Sequence, residues 1–339
     1  MRILLLGGTR FIGPHVVRGL IEGGHEVTIF HRGQTETDLP TTVHHVHGDF
    51  AGFAEHVEPL RALAPEVVLD MVLFREQDAQ RLRSFKGVAR RVVAISSGDV
   101  YRAFGRIWRT EPGPPDPVPL TEDSPLREQL SSAGLDYNKP AVERSLLADD
   151  ELPATIIRAP ATYGPGDAQH RLFHYIKRMD DGRPAIVLEE SLAEWRWARS
   201  YVEDVAHAIV LAVTNKLAAG RIYNVAYPTA FSEADWVREI GNVLGWRGDV
   251  VSAPMDKLPV SFRHEFDLRQ QYSVDSTRIR RELGYTEQIP FPEGLRRTID
   301  WEREHPPKDL THQLDYEAED AMLGRLKKTV QWGGDESGS

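Results

Sequence analysis

The sequence contains no cysteine among its 339 residues. Disulfides, thiolate metal ligands and cysteine nucleophiles are therefore excluded. Basic residues are also outnumbered, since 41 Lys and Arg stand against 51 Asp and Glu, which gives a net charge of −10. Nucleic-acid-binding domains usually carry a basic excess, so nucleic acid is not an expected main partner.

Long apolar runs are missing as well. The run in MRILLLGG is too short for a signal peptide, and no stretch is long enough to span a bilayer. With 41% hydrophobic and 27% charged residues, the composition is that of a soluble globular protein. A cytoplasmic protein without a membrane partner is the expectation.

Short apolar runs alternate with helical patterns in the first half of the chain. Buried parallel strands are predicted at residues 2–6, 26–30, 66–70, 91–96 and 154–158. This repetition predicts an α/β fold with a doubly wound parallel sheet, a Rossmann fold. The alternation weakens after residue 160. We therefore predict a dinucleotide-binding domain at 1–160 plus about 200–226, a smaller C-terminal α/β substrate lobe at 161–199 and 227–325, and a disordered tail at 326–339.

The first predicted strand runs directly into GGTRFIG, which opens the first predicted helix. Gly7 and Gly8 permit a tight turn, and Gly13 permits close packing of helix on strand. The helix N-terminus offers free N–H groups to a pyrophosphate. In this strand–glycine–helix context we predict a cofactor site formed by Gly7, Gly8, Thr9, Arg10, Phe11, Ile12 and Gly13.

The second predicted strand ends without the acidic residue that usually binds the ribose hydroxyls of NAD, and no carboxylate follows until Glu36. Arg10, His31 and Arg32 are available instead, and the forked guanidinium of arginine suits a 2′-phosphate. NADP is therefore predicted rather than NAD. The alternative is that Arg10 and Arg32 are solvated loop charges.

The segment VHHVHGDF contains three histidines. If it forms a strand, His45 and His47 share a face and His44 does not. Without matching ligands nearby, no metal site is expected. Asp49 and Phe50, which follow this strand, are candidates for contact with the adenine.

With these motifs in place, the chain resembles the extended short-chain dehydrogenase/reductase superfamily of the NAD-dependent epimerase/dehydratase type. The GGTRFIG variant is similar to its atypical branch. The resemblance extends to about residue 305 and includes AISSGDVY (94–101), LTEDSPL (120–126), IIRAPATYGPGD (156–167), RSYVEDVAHA (199–208) and YNVA (223–226). It implies the fold but not the substrate, because this fold hosts many chemistries. It also makes Met71 and Pro160 cofactor candidates and implies a possible homodimer.

In that family a Tyr takes the proton of the substrate hydroxyl, a Ser or Thr orients the substrate oxygen, and a Lys lowers the pKa of the Tyr and binds the nicotinamide ribose. The resemblance places Ser97 and Lys139 on two of these positions, but Leu135 stands where the Tyr is expected. Tyr137 is only two residues from Lys139, a spacing that separates side chains by about 200° on a regular helix. Pro140 favours a first helical turn and disfavours α geometry at Lys139. In an extended lead-in the pair would face one side, and the sequence leaves both geometries open.

Further site residues follow from the resemblance alone. Asp99 is an acid–base candidate, with a loop-capping carboxylate as the alternative. An Arg at the position of Arg199 commonly meets a sugar-nucleotide diphosphate, and Trp195 and Trp197 could stack on a ring, although buried packing is the commoner role of Trp. The predicted substrate residues are His170, Arg171, Trp195, Arg196 and Arg199.

The prediction is therefore an NADP-dependent enzyme that transfers hydride at a carbinol of a sugar or sugar nucleotide, as an epimerase, dehydratase or reductase. The catalytic candidates are Ser97, Tyr137, Lys139 and Asp99. Because Leu135 replaces the expected Tyr, a non-catalytic NADP-binding sensor is the alternative. GGTRFIG is also similar to chloroplast stem-loop RNA-binding proteins, a function that the negative net charge disfavours.

Overall fold

The computed structural model describes residues 1–35, 39–130, 134–259, 262–309 and 314–332, with only the backbone described for Leu135 and residues 326–332. The strands are β1 (Arg2–Leu6), β2 (Glu26–His31), β3 (His44–His47), β4 (Val67–Asp70), β5 (Arg91–Ser97), β6 (Ala154–Ala159), β7 (Ala161–Tyr163), β8 (Ala185–Glu189), β9 (Arg199–Tyr201), β10 (Ile222–Asn224) and β11 (Asp249–Ala253). The helices are α1 (Ile12–Glu22), α2 (Phe53–Ala62), α3 (Ala79–Arg83), α4 (Arg102–Ile107), α5 (Lys139–Leu147), α6 (Phe173–Asp180), α7 (Glu190–Glu194), α8 (Val202–Thr214), α9 (Glu233–Leu244), α10 (Thr277–Leu283), α11 (Phe291–Glu304) and α12 (Tyr316–Trp332).

A seven-stranded parallel sheet in the order β10-β6-β5-β4-β1-β2-β3 forms the centre of the molecule. The predicted doubly wound α/β fold is thereby confirmed. The strand order reverses between β1 and β4, and in such sheets the ligand crevice lies beyond the carboxyl ends of the strands at that point.

Alternating side chains build a core on each face of the sheet. In β1, Ile3 and Leu5 enter one hydrophobic cluster, which includes residues of α1 and α8, while Leu4 and Leu6 enter the other. This alternation follows from the two-residue period of a strand. Because the sheet is buried on both faces, its carboxyl edge is the part left available to ligands.

A third hydrophobic cluster lies around α6, α9 and α11. Beside it, β8 and β11 form a separate two-stranded parallel sheet. Helix α12 packs here through buried Glu319 and Met322. The predicted tail begins within α12, and residues 333–339 lie outside the described residues. Among the described residues, no helix combines the length and apolar character needed to cross a bilayer.

Asp204 in the first turn of α8 makes the free energy of unfolding depend on pH. Its side chain is buried, and its Oδ1 accepts the N–H groups of Gln288 at 2.7 Å and Ile289 at 3.2 Å. Burial raises the pKa of Asp204 to about 6. Because the native carboxyl holds its proton more tightly than the unfolded one, its stabilising contribution is present below about pH 4 and lost as the pH rises through about 6.

Asp204→Asn retains the accepting Oδ1 but does not titrate. We expect the difference in unfolding free energy between this variant and the unchanged protein to shift in favour of the variant by about 1–3 kcal/mol when the pH is raised from 4 to 8. Urea unfolding of both proteins at the two pH values measures this gain. An equal difference at both values would contradict the prediction.

Candidate active site

The glycine loop between β1 and α1 has the geometry that the sequence predicted. Gly7 and Gly8 have φ angles of 86° and 85°, a region that favours glycine. A Cβ on Gly13 would lie 2.2 Å from the carbonyl oxygen of Gly8. The third glycine is therefore required for the close approach of α1 to the loop, which leaves the first N–H groups of α1 facing the crevice.

A cleft of about 380 Å³ lies beside this loop. It brings together most of the predicted cofactor residues, namely Gly7, Gly8, Thr9, Arg10, Phe11, Ile12, His31, Arg32, Phe50 and Met71. It also includes residues that the sequence did not indicate, namely Gln34, Thr35, Val72, Phe74 and Ile95. Asp49 lines a neighbouring depression, where its carboxylate accepts the N–H of Ala51. Glu36 lies outside the described residues.

Cationic side chains lie at the solvent-exposed mouth of this cleft. Arg10 and Arg32 are both exposed and line the cleft. His31 is buried, and its Nδ1 accepts the N–H of Gly33 at 3.2 Å while its Nε2 lies 2.9 Å from Nδ1 of His45. The two arginines, rather than the imidazole of His31, are therefore the groups placed to meet an anion that enters from solvent.

Asp70 at the end of β4 holds the loop that forms one wall of the cleft. Its carboxylate accepts the N–H of Val72 at 2.8 Å and Nε of Arg81 at 3.1 Å. Complete burial raises the pKa of Asp70, and the charge of Arg81 opposes this shift. The backbone around Met71 is thus fixed by a buried ion pair.

Helix α5 begins at Lys139, one residue after its cap. The Oδ1 of Asn138 accepts the N–H of Ala141 at 3.4 Å, and Pro140 lies in the first turn. Leu135 belongs to a short 3₁₀ turn, Gly134–Asp136. Tyr137 therefore precedes the helix, as the argument from Pro140 allowed. The separation of about 200° that applies within a regular helix does not apply to Tyr137 and Lys139.

Three of the catalytic candidates meet at the carboxyl end of β5. The hydroxyl of Tyr137 donates to Oδ2 of Asp99 at 2.5 Å, and the Ser97 hydroxyl accepts the N–H of Asp99 at 3.3 Å. Lys139 is buried, donates from Nζ to the carbonyl of Ile95 at 2.9 Å and lies 5.9 Å from the centre of the Tyr137 ring. The side chains of Tyr137 and Lys139 thus lie close together.

The electrostatics of this cluster keep Tyr137 protonated at neutral pH. Burial raises its pKa well above the ordinary value, and the neighbouring Asp99 carboxylate raises it further, while a hydrogen bond with Ser97 opposes the shift. Burial lowers the pKa of Lys139, and Asp99 is the largest opposing influence. Asp99 is thus the group placed to receive the proton of Tyr137.

A cavity of about 300 Å³ opens above this cluster and contains Ser97, Asp99, Tyr137 and Pro160. Four further aromatic residues line it, namely Phe104, Trp108, Trp197 and Tyr272. Phe74 lies between this cavity and the cofactor cleft, since it lines the cleft and its ring centre is 6.0 Å from that of Tyr137. The reacting groups and the cofactor cleft therefore adjoin.

The predicted substrate residues divide between the cavity and the surrounding framework. Arg171 lines the cavity, and His170 lines an adjoining one of about 430 Å³. Trp195 is buried and donates from Nε1 to the carbonyl of Gln270, and Arg196 donates to the carbonyl of Ala230. Neither Trp195 nor Arg196 lines either cavity.

Arg199 is also withdrawn from the two cavities. It forms a buried ion pair with Glu233, and its guanidinium lies 4.9 Å from the ring centre of Trp236. Two of its nitrogens, Nε and Nη1, have no hydrogen-bond partner. The charge of Arg199 is therefore already balanced by Glu233, and its side chain does not line the cavity where a diphosphate was expected to meet it.

Sequence reasoning missed three aromatic residues of the cavity, Phe104, Trp108 and Tyr272. Trp197, one of the two candidates for stacking on a ring, lines the cavity, whereas Trp195 does not. Tyr272 arrives from a distant segment, and its hydroxyl donates to the carbonyl of Gly98. No local pattern in the sequence marks such a long-range contact.

The parallel sheet, the glycine loop at its switch point and the adjoining cluster of catalytic candidates are the features expected of a Rossmann-fold enzyme that uses a dinucleotide. Comparison with known proteins is more specific. Residues 3–81 and 78–226 match the model of the NAD dependent epimerase/dehydratase family. The chain belongs to this family, and the predicted resemblance is confirmed.

The relatives include both reductases and dehydratases. The chain is 28% identical over 264 residues to 2'-dehydrokanamycin reductase of Streptomyces kanamyceticus, which covers 76% of this chain and 70% of the relative. It is 26% identical to a dTDP-glucose 4,6-dehydratase of Streptomyces niveus, with 90% and 94% covered. The solved structure of MoeE5 in complex with UDP-glucose and NAD matches with a TM-score of 0.65 at 24% identity, covering 90% of this chain and 99% of that one. The prediction of an enzyme of the epimerase, dehydratase or reductase type is confirmed at this level.

Proposed function

We propose that the protein is an NADP-dependent oxidoreductase that transfers hydride reversibly at a carbinol carbon of a sugar or sugar nucleotide. The observation that carries the proposal is the hydrogen bond from Tyr137 to Asp99 in a cavity that adjoins the cofactor cleft. This bond supports Tyr137 as the proton-transfer group, although Leu135 stands at the position where the family has its Tyr. The sugar nucleotide bound by MoeE5 and the kanamycin-type substrate named for the reductase relative support this substrate range.

The chain's own groups account for the movement of the proton. Ser97 orients the substrate oxygen, and Tyr137 accepts the hydroxyl proton while its own proton passes to Asp99. Bound NADP would supply the hydride acceptor for the carbon that carries this hydroxyl. Because Asp99 is the final acceptor, the raised pKa of Tyr137 does not prevent the reaction. In reduction, the proton follows the same path backwards from Asp99 through Tyr137 to the substrate oxygen.

Lys139 contributes without carrying the proton. Its ammonium donates to the carbonyl of Ile95 and lies close to the Tyr137 ring. It is also 5.3 Å from the ring centre of Phe74, which forms a wall of the cofactor cleft. From this position it is placed to contact the nicotinamide ribose. Its positive charge also offsets the negative charge that Asp99 brings to a buried site.

Isotope transfer tests the proposal. The protein is incubated with NADPH carrying deuterium at C4 of the nicotinamide and with a panel of keto-sugars and keto-sugar nucleotides. We expect deuterium in the new carbinol C–H bond of at least one product. Tight NADP binding with no deuterium transfer to any member of the panel would instead favour the non-catalytic sensor.

The preference for NADP depends on the exposed arginines at the mouth of the cleft. We expect Arg32→Ala to weaken NADP binding about 10- to 100-fold, because a charge-assisted hydrogen bond contributes about 1.5–3 kcal/mol. NAD binding should change little, since NAD lacks the 2′-phosphate. Isothermal titration of both cofactors measures this, with the exposed and distant Arg247→Ala as the control. An equal loss for the two cofactors would contradict a phosphate contact.

A further inference from the structure

The end of β2 and the neighbouring strand β3 bring three histidines together. In the parallel register of the two strands, His31 is the partner of His47, and His45 lies two residues earlier on the same face. One ring nitrogen from each residue can be chosen so that all three nitrogens lie within 4.8 Å of one another. The sequence pattern revealed His45 and His47 but could not supply the third, because His31 is reached only through the strand register.

We propose that His31, His45 and His47 form a binding site for a divalent transition-metal ion of the zinc type. Imidazole nitrogens suit Zn²⁺, Cu²⁺ and Ni²⁺. Tetrahedral ligands at about 2.0–2.1 Å from zinc are about 3.3 Å apart. Nε2 of His31 and Nδ1 of His45 are already 2.9 Å apart, so two of the three ligands need to move little. A water molecule completes the four-coordinate site.

The different exposure of the three histidines favours this site. The buried His31 provides a fixed ligand, whereas His45 and His47 are exposed and can adjust their rings toward an ion from solvent. The ring centres of His31 and His47 are 4.7 Å apart. The ion would thus link side chains of the paired strands β2 and β3.

Metal binding changes the protonation of this cluster. A ligating imidazole is neutral and has a free lone pair on the nitrogen that binds. Ligation through Nε2 of His31 displaces the proton that lies between this atom and Nδ1 of His45. The ring proton of His31 is then on Nδ1, the atom that accepts the N–H of Gly33 at 3.2 Å in the metal-free structure. The gain is three metal–nitrogen bonds, and the loss is two hydrogen bonds, the one between His31 and His45 and the one from the N–H of Gly33. The turn at Gly33 must therefore shift slightly when the ion binds.

The strand itself offers a matched control. His44 belongs to β3 and is exposed, but the two-residue period of the strand directs it to the opposite face. His44→Ala removes the same side chain from the same strand without removing a proposed ligand. His45→Ala and His47→Ala alter exposed positions, so neither variant should impair folding.

Isothermal titration with Zn²⁺ alone, on the untagged full chain after chelator treatment, tests the proposal at pH 7.5. We expect one site per chain with a Kd on the order of micromolar or tighter. The affinity should fall at least about tenfold in His45→Ala and in His47→Ala and remain unchanged in His44→Ala. Absence of a site in this range in the unchanged protein, or equal affinity in all three variants, would overturn the proposal.

Discussion

Tyr137→Phe is expected to lower kcat about 10²- to 10⁴-fold, the range associated with loss of a general acid–base group. Tyr137 is the residue whose hydroxyl meets the Asp99 carboxylate in the cavity beside the cofactor cleft. Phenylalanine keeps the ring that packs near Phe74 and removes only the hydroxyl. The Kd for NADP should stay within about twofold, because the lost atom belongs to the proton path.

A matched substitution separates this effect from the loss of any tyrosine hydroxyl. Tyr316 also donates to a carboxylate, Oδ2 of Asp181 at 2.6 Å, but at a half-buried position that neither site cavity includes. We expect Tyr316→Phe to retain full turnover. If Tyr137→Phe also retained full turnover, Tyr137 would not be the proton carrier.

Asp99→Asn examines the other end of the relay. Asparagine can still accept the hydrogen bond from Tyr137 but does not take up its proton. We expect kcat to fall about 10- to 100-fold, with a smaller effect than in Tyr137→Phe because water can still receive the proton. Steady-state kinetics of the two single variants and the double variant measures this. Effects that multiply independently would show that the two residues do not act in one path.

The second large effect concerns stability. Glu143→Ala is expected to reduce the free energy of unfolding by about 3–5 kcal/mol, because it leaves a buried guanidinium without its counter-charge. Glu143 on α5 and Arg158 on β6 are each about 2% exposed, and their nearest charged atoms are 2.7 Å apart. Arg158 also donates to the hydroxyl of Tyr101 and to the carbonyl of Glu122. The pair therefore joins β6, α5 and the loop beneath the active site.

Urea unfolding at 25 °C measures the loss. Glu143→Gln is a milder companion that keeps an acceptor for Arg158 and should lose less than Glu143→Ala. The control is Asp180→Ala, which breaks the partly exposed pair with Arg303 and should cost less than about 1 kcal/mol. Similar losses in Asp180→Ala and Glu143→Ala would contradict the assigned importance of burial.

Within LDYNKP (135–140), Pro140 favours a first helical turn, and it lies in the first turn of α5. The same proline disfavours α geometry at Lys139, yet α5 begins at Lys139. These local effects act over a few residues, and they left open whether Tyr137 precedes the helix. The pairing of Tyr137 with Asp99 is different, because the partners are 38 residues apart and meet only when β5 and α5 pack.

The predicted substrate residues show the same division. Arg199 lies in a segment that the family resemblance identifies, but its charge is balanced by Glu233, which a different helix contributes. Trp195 and Trp197 are equivalent in sequence pattern, yet Trp195 is buried in the framework and Trp197 lines the cavity. Neighbours from other elements decide which of two similar side chains is exposed to a ligand.

The sequence by itself determined the parallel sheet, the glycine loop and the place of Pro140 in a first helical turn. These features follow from strand periodicity, from positive φ angles that only glycine readily adopts and from proline geometry, all of which act within a short stretch of chain. The tertiary structure alone decided that Tyr137 meets Asp99, that Arg199 is paired with Glu233 and that His31 joins His45 and His47. Each of these contacts joins separate elements, and the distance between their side chains is set by packing and strand register rather than by neighbouring residues.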